Sequence, residues 1–196
     1  MASRRAVLVG GQTVARNMTD LRLPRQAVVE RFAQLLGLPV IVIDPQPEFH
    51  LDLGFTFLDD NTIAVADPEE AIRLVAGLPE LKPMVKITRD KQLAAKYEQA
   101  AQGLVQQGYR VARLPNLAGL GLTSPYFTYN NVLIENYQAV KKVYLPVYGV
   151  EPLDESARQT FRQHQFQVID MPSARLSTRL WGAIRCATGE LRITES

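Results

Sequence analysis

Apolar residues recur along the chain in two patterns, short β-branched runs and longer stretches with apolar positions three or four residues apart. Residues 6–10 form a short apolar run that ends in Gly10 and Gly11, which is typical of a strand followed by a turn. Residues 24–36 carry apolar positions at helical spacing between an opening proline and a closing glycine. Residues 39–43 return to a β-branched run. This part of the chain therefore predicts a strand, a helix and a strand.

A longer order of elements then occurs twice. Residues 50–67 alternate apolar and polar positions before an Asp-Asp-Asn turn and an apolar return, which predicts a β-hairpin. A predicted helix at residues 90–107 and a strand at 109–114 follow. The second copy again has a hairpin, a helix and a strand, predicted at residues 126–137 with 142–148, 153–163 and 166–169. Residues 182–193 predict the opening of a further hairpin.

The repeated order of hairpin, helix and strand predicts an α/β protein built from related modules, arranged around an axis or stacked in a row. Residues 6–10 resemble the second arm of a hairpin whose first arm is missing, so we count about two and a half modules. A chain of 196 residues is long enough to bury a substantial core. We therefore predict that residues 1–196 form a single domain.

Composition and charge exclude several classes of protein. Hydrophobic residues make up 46% of the chain and charged residues 21%, which is typical of an ordinary globular domain. The 22 basic residues nearly balance the 20 acidic ones without long runs of one sign, so we expect no nucleic-acid or membrane-surface partner. Because no transmembrane stretch or signal peptide is evident, we expect a cytoplasmic protein.

Three chemically distinctive residues occupy the same place in different modules. His50 and Asp52 lie on the first predicted arm of one hairpin, and Cys186, the only cysteine, lies on that of the last. Modules related by rotation would bring these side chains into one pocket. An imidazolium lowers the pKa of a nearby thiol, and the two then serve as nucleophile and general acid/base. On a strand, Asp52 shares a face with His50, where its carboxylate suits a cationic substrate.

Each of these residues also has a structural interpretation. A lone cysteine such as Cys186 is commonly a buried core thiol. His50 and Asp52 could simply face solvent on a sheet. Asn130 and Asn131 lie on the first arm of the intervening hairpin, where asparagine is unfavourable. We predict that Asn130 contacts substrate, and the alternative is a bulge or a local turn.

Two segments resemble those of the guanidino-group modifying enzymes, or penteins, which include arginine deiminase, agmatine deiminase and the amidinotransferases. The His-x-Asp segment of that superfamily is similar to FHLDLGFTFLDDNTIAV, and its nucleophile segment is similar to WGAIRCATGEL. The family segment upstream of the histidine is similar to LVGGQTVARN. The resemblance covers nearly the whole chain. It implies that the chain is the C-terminal portion of an α/β propeller whose complete form has five modules.

The resemblance also implies a reaction. Cys186 would attack the guanidine carbon and form a thiouronium intermediate, while His50 would act as general acid/base and Asp52 as a guanidinium ligand. A water molecule would complete the reaction in a deiminase acting on arginine or agmatine, and a second amine would do so in an amidinotransferase. Neither a metal nor an organic cofactor is implied.

The sequence departs from the family at Gly10 and Gly11, because Val9 precedes them where the family has a glutamate. The upstream carboxylate that the family uses is therefore missing. The chain is then part of a longer enzyme, a shortened relative that pairs with another chain, or inactive. We accordingly expect either a homo-oligomer or a partnership with upstream modules. The alternative functions are a non-catalytic binding protein on the same fold and a thiol enzyme unrelated to guanidines.

Overall fold

The computed structural model describes residues 2–119, 126–138, 140–172, 178 and 183–187. The described strands are β1 (Val7–Gly10), β2 (Val40–Ile43), β3 (Phe55–Phe57), β4 (Thr62–Asp67), β5 (Arg110–Leu117), β6 (Phe127–Thr128), β7 (Leu133–Tyr137), β8 (Val140–Pro146) and β9 (Gln167–Met171). The described α-helices are α1 (Gly11–Leu21), α2 (Arg25–Leu36), α3 (Pro68–Leu74), α4 (Lys82–Asp90), α5 (Leu93–Gln106) and α6 (Glu151–Gln163). Short 3-10 turns lie at Leu51–Leu53, Pro79–Leu81 and Arg185–Ala187. The predicted hairpin of residues 182–193 lies mostly outside the described residues.

The strands form three sheets with related topology. β1 pairs with β2 in parallel. β3 and β4 form an antiparallel hairpin, β5 adds parallel to β4, and β6 pairs antiparallel with the end of β5. β7 and β8 form a second antiparallel hairpin, to which β9 adds in parallel. The predicted order of hairpin, helix and parallel strand is thus present twice, and the mixed α/β class is confirmed. The propeller arrangement and the number of modules stay predictions.

An acidic side chain at the start of each of the helices α3 and α6 accepts hydrogen bonds from main-chain N–H groups. The Asp67 carboxylate accepts a hydrogen bond of 2.9 Å from the main-chain N–H of Glu70, and Pro68 occupies the first helical turn. The Asp154 carboxylate, which is 1% exposed, accepts hydrogen bonds from the main-chain N–H groups of Tyr148 and Val150 at 2.9 and 3.0 Å. These contacts fix both helices against the strands that precede them.

Among the described residues, the core consists of two clusters of buried apolar side chains. One cluster packs the sheet of β4 and β5 and the sheet of β8 against α3 and α6, and includes Leu114, Val143, Leu145 and Phe161. The other packs β1, β2 and β3 against α5, and includes Leu8, Ile41, Phe55, Tyr97 and Leu104. Burying each such side chain contributes roughly 1.5–3 kcal/mol. Among the described residues, no helix combines the length and apolar character needed to cross a membrane.

The start of the chain and the longest predicted helix can also be compared with the structure. β1 occupies the place of a second hairpin arm, because α1 and α2 lead from it to the parallel partner β2, just as helices lead from β4 to β5 and from β8 to β9. The helix predicted at residues 90–107 is present as α5, and the preceding helix α4, which ends before a left-handed residue, Gln92, with φ of 53°, was not predicted. The buried Thr88 hydroxyl near the end of α4 accepts a hydrogen bond from the main-chain N–H of Ala118, which fixes this end in place.

Candidate active site

His50 and Asp52 lie at a 3-10 turn (Leu51–Leu53) rather than on a strand. The first arm of the predicted hairpin is β3, which starts only at Phe55. The turn is fixed from below, because the Leu53 carbonyl accepts hydrogen bonds from the Asn116 amide at 2.9 Å and the Thr128 hydroxyl at 2.7 Å. Both donors are buried. The turn leaves His50 exposed and Asp52 half-buried, with a ligand atom of each within 4.8 Å of the other.

Gly54 follows the turn because the backbone passes directly over the buried ring of Tyr97. A Cβ atom at this position would lie 2.2 Å from Tyr97 ring atoms. Only glycine permits so close an approach to a ring that is itself 1% exposed. The Gly54 N–H donates to the Leu51 carbonyl at 3.0 Å, which completes the turn.

A buried carboxylate, Glu48, lies beneath the turn. Its oxygen is 3.3 Å from the Tyr126 hydroxyl and 3.7 Å from the Lys91 ammonium group. The same hydroxyl lies 3.0 Å from the Asn116 amide oxygen, and one phenolic proton cannot serve both acceptors. A proton on Glu48 resolves this conflict. In agreement, burial raises the pKa of Glu48 against the opposing effect of Lys91.

Asn130 and Asn131 form a bend between β6 and β7, which corrects the prediction of one continuous strand at residues 126–137. Both side chains are fully buried, but they point to different places. The Asn130 amide donates to the Ala64 carbonyl at 3.0 Å, inside the core. Among the described residues its amide oxygen has no hydrogen-bond partner. The predicted substrate contact of Asn130 therefore gains no support from its position.

Asn131 instead joins the two segments that carry the candidate site. Its amide nitrogen donates to the Asp52 carboxylate at 2.8 Å and to the Cys186 sulfur at 3.2 Å. The doublet of asparagines in an otherwise apolar strand pattern signalled a bend here. It did not show which of the two side chains would face the site.

Cys186 lies in a 3-10 turn (Arg185–Ala187), not on the strand predicted for it. Its sulfur is 3.4 Å from the Asp52 carboxylate, although the two residues are 134 positions apart in the sequence. One ligand atom each from His50, Asp52 and Cys186 lies within 4.8 Å of the others. The fold thus brings together the three residues that the sequence singled out, with His50 and Cys186 exposed and Asp52 half-buried.

The electrostatics differ from the expectation of a thiol activated by an adjacent imidazolium. Although Cys186 is exposed as a residue, its sulfur is partly shielded from water by neighbouring groups, and this desolvation raises the pKa of the thiol. The Asn131 amide lowers the pKa and the Asp52 carboxylate raises it further, so the net direction is upward. The negative charge of the Asp52 carboxylate beside the sulfur adds to this upward shift. In the absence of a cation the thiol is therefore mostly protonated at neutral pH.

An open groove of about 640 Å³ lies beside His50 and Asp52, and Cys186, next to the lining residue Arg185, is not among the described residues that line it. His50, Asp52 and Arg185 line one part of it, and apolar side chains, among them Phe32 and Phe49, line another. The groove combines a carboxylate with apolar walls, which suits a cation on an aliphatic chain. Imidazole, carboxylate and thiolate are also zinc donors, so this set could hold a metal ion.

The chain was compared with protein families, curated sequences and solved structures. Neither a protein-family model nor a curated protein sequence matches the chain. Its structure is similar to the agmatine deiminase of C. jejuni, with a TM-score of 0.65 and 18% identity over 94% of this chain and 51% of that chain. It is similar to the agmatine deiminase of Enterococcus faecalis, with a TM-score of 0.57 and 17% identity over 92% of this chain and 52% of that chain.

A candidate arginine deiminase from Porphyromonas gingivalis is similar as well, with a TM-score of 0.65 and 21% identity over 92% of this chain and 51% of that chain. The chain has the fold of these deiminases. It spans about half the length of the deiminase structures it matches. The resemblance drawn from the His-x-Asp and cysteine segments is confirmed at the level of the deiminase fold.

Proposed function

We propose that this chain carries the nucleophile portion of an enzyme that modifies guanidino groups through a cysteine, as a deiminase or an amidinotransferase. The observation that carries the proposal is the meeting of His50, Asp52 and Cys186 within 4.8 Å, in a chain that has a deiminase fold. The three groups supply a nucleophile, a proton carrier and an anionic ligand for a cation. No other trio of histidine, cysteine and carboxylate ligands comes together in this way among the described residues.

The first step is binding of a guanidinium beside Asp52. The carboxylate is half-buried and faces the groove, where it can accept hydrogen bonds from the planar guanidinium. The bound cation offsets the charge of Asp52, which is one cause of the raised pKa of Cys186. Substrate binding therefore lowers the pKa of the thiol and favours its ionisation at the moment when a nucleophile is needed.

As the thiol of Cys186 ionises, it gives its proton to His50. The thiolate then forms a bond to the guanidine carbon, and one C–N π electron pair moves onto nitrogen. His50 protonates one amino nitrogen of the tetrahedral adduct, so that the C–N bond breaks and ammonia or an amine leaves. The product is a thiouronium bound to the Cys186 sulfur. His50 next takes a proton from water, the oxygen adds to the carbon, and the C–S bond breaks to release a ureido product and the thiol.

The proposal is tested by incubating the chain with agmatine or arginine and measuring ammonia and the ureido product. An added primary amine distinguishes amidino transfer, which yields a new guanidine, from hydrolysis. We expect turnover by the wild type and none by Cys186→Ala or His50→Ala. His164→Ala is the matched control, because that histidine follows α6 and is not in the candidate site. Turnover that survives in Cys186→Ala would contradict the proposal.

A second candidate, a non-catalytic binding protein on the same fold, is favoured by the raised pKa of Cys186. It predicts that agmatine or arginine binds and protects the chain against thermal unfolding but is recovered unchanged. Asp52→Asn would then weaken binding, while Cys186→Ala would leave it intact. Formation of any ureido product by the wild type would contradict this second function.

A further inference from the structure

The amide of Asn131 is the point where three segments of the candidate site meet. Its nitrogen donates to the Asp52 carboxylate at 2.8 Å and to the Cys186 sulfur at 3.2 Å. Its amide oxygen accepts from the main-chain N–H groups of Ala183 at 3.0 Å and of Cys186 at 3.3 Å. The main-chain carbonyl of Asn131 also accepts from the N–H of Ile184 at 3.3 Å. The buried Asn131 thus makes hydrogen bonds both to the main chain of the segment that carries Cys186 and to the Cys186 sulfur.

These contacts fix which way the amide faces. A side-chain amide offers two donors on nitrogen and an acceptor on oxygen, and the two ends are not interchangeable. Reversing the Asn131 amide would place its oxygen against the Asp52 carboxylate and its nitrogen against two N–H donors. Both changes are repulsive. The hydrogen bonds to Asp52 and Cys186 therefore follow from the main-chain contacts on the other side.

We propose that Asn131 is a positioning residue that holds the Cys186 sulfur and the Asp52 carboxylate in one fixed arrangement and stabilises the thiolate. Its N–H bonds are made to an anion and to a sulfur that becomes an anion, so they strengthen as Cys186 ionises. They also orient the carboxylate that sits beside the sulfur. The role in turnover rests on the proposed function, whereas the effect on the thiol does not.

The neighbouring asparagine provides a matched control. Asn130 is in the same bend and is just as buried, but its amide donates to the Ala64 carbonyl in the core. Loss of either side chain removes buried hydrogen bonds and weakens the fold. Only the loss of Asn131 removes a donor from the sulfur. Comparison of the two positions therefore separates support of the fold from an effect on the reactive group.

The test follows alkylation of Cys186 by iodoacetamide from pH 6 to pH 10, detected by intact mass. The assay needs no guanidino substrate, and the signal is unambiguous because Cys186 is the only cysteine. Asn131→Asp keeps an oxygen that can accept from Ala183 and Cys186 but replaces the N–H donor by a negative charge. We expect its thiol pKa to rise by at least about one unit, which slows alkylation at pH 7 by about tenfold.

Asn131→Ala is the second variant, and it removes the donor without adding a charge. If Asn131→Asp does not fold, Asn131→Ala tests whether loss of the donor raises the thiol pKa. Its thiol pKa should also rise, while Asn130→Ala should match the wild-type profile after folding is confirmed by circular dichroism. A wild-type pH profile in the folded Asn131 variant would overturn the proposal. So would an equal shift in Asn130→Ala. If the wild type shows no turnover of guanidines but the thiol pKa still rises in the Asn131 variants, the result counts against the proposed function and not against the role of Asn131.

Discussion

The reactive side chains of the candidate site and the side chains that hold them in place differ in burial and in the bonds they make. His50 and Cys186 are exposed, whereas Asn116, Thr128 and Asn131 are at most 1% exposed. The buried group bonds mainly to main-chain atoms, such as the Leu53 carbonyl and the N–H of Ala183. Reactive groups on the surface contribute little to stability, so substitutions in the two groups should have opposite consequences.

The largest expected effect is on chemistry and comes from the exposed group. Cys186→Ala or His50→Ala should lower turnover by about 10³-fold or more, which corresponds to roughly 4 kcal/mol in the reaction barrier. The free energy of unfolding should stay within about 0.5 kcal/mol of the wild type, because both side chains face solvent. Steady-state kinetics and urea unfolding on the same samples check both values. A large loss of stability in either variant would contradict the claim that the exposed side chains contribute little to stability.

The next effect is on stability and comes from the backbone beneath the site. Gly54→Ala places a Cβ atom 2.2 Å from the buried Tyr97 ring, so the turn or the ring must shift. We expect a loss of about 1–3 kcal/mol in the free energy of unfolding, measured in urea. Gly103→Ala in α5 is the control, since no atom lies within 4 Å of its added Cβ. That variant should gain about 0.5–1 kcal/mol.

A smaller effect is expected at the hydroxyl that supports the 3-10 turn. Thr128→Val removes the 2.7 Å hydrogen bond to the Leu53 carbonyl and the 3.2 Å bond that the hydroxyl accepts from the Asn130 N–H. It leaves the Asn116 bond to the Leu53 carbonyl. The free energy of unfolding should fall by about 1–2 kcal/mol, because the Leu53 carbonyl keeps a partner whereas the buried Asn130 N–H loses its acceptor. Turnover should fall as well, since the turn carries His50 and Asp52. Unchanged stability in Thr128→Val would show that this bond does not hold the turn.

The smallest effect is a change in pH dependence at Glu48. Its pKa is raised by burial, so the folded protein binds this proton more tightly than the unfolded chain does. The resulting stability is fully present below the ordinary pKa of 4.5 and is lost as pH rises through the higher folded pKa. Glu48→Gln keeps the shape of the neutral acid and should remove this loss.

Thermal midpoints of wild type and Glu48→Gln, measured from pH 4 to pH 8, test this expectation. Other carboxylates, such as Asp59 and Glu98, have lowered pKa values and act in the opposite direction, but they are common to both proteins. The thermal midpoint of Glu48→Gln should therefore rise relative to that of the wild type as pH rises. A difference that changes in favour of the wild type would show that the ion pair with Lys91 outweighs burial.

The sequence predicted those parts of the molecule that depend on local pattern. Helices α2 and α6 and strand β2 lie close to where periodicity put them, because each buries one face made of nearby residues. The three residues that meet in the candidate site were also singled out by the sequence, since one cysteine and a His-x-Asp pair are rare enough to notice. What could not be found was the irregular backbone that presents them.

That backbone is decided by contacts between distant residues. The turn at Leu53 depends on Asn116, which is 63 positions away, and the cysteine turn depends on Asn131, which is 55 positions from Cys186. Local alternation favoured a strand at both places, and buried amide groups overrode it. The same contacts explain why Asn131 rather than Asn130 reaches the site, a choice that two adjacent asparagines do not reveal.

The most direct test of the central claim is covalent labelling of the chain with a haloacetamidine, a guanidine-like electrophile, followed by intact mass. Wild type and Cys186→Ala are compared, with and without agmatine. The account predicts rapid addition of one label to wild type only, faster than to a free thiol and slowed by agmatine, because the cationic reagent binds beside Asp52 and favours the thiolate. Labelling no faster than that of a free thiol, and unaffected by agmatine, would contradict the account.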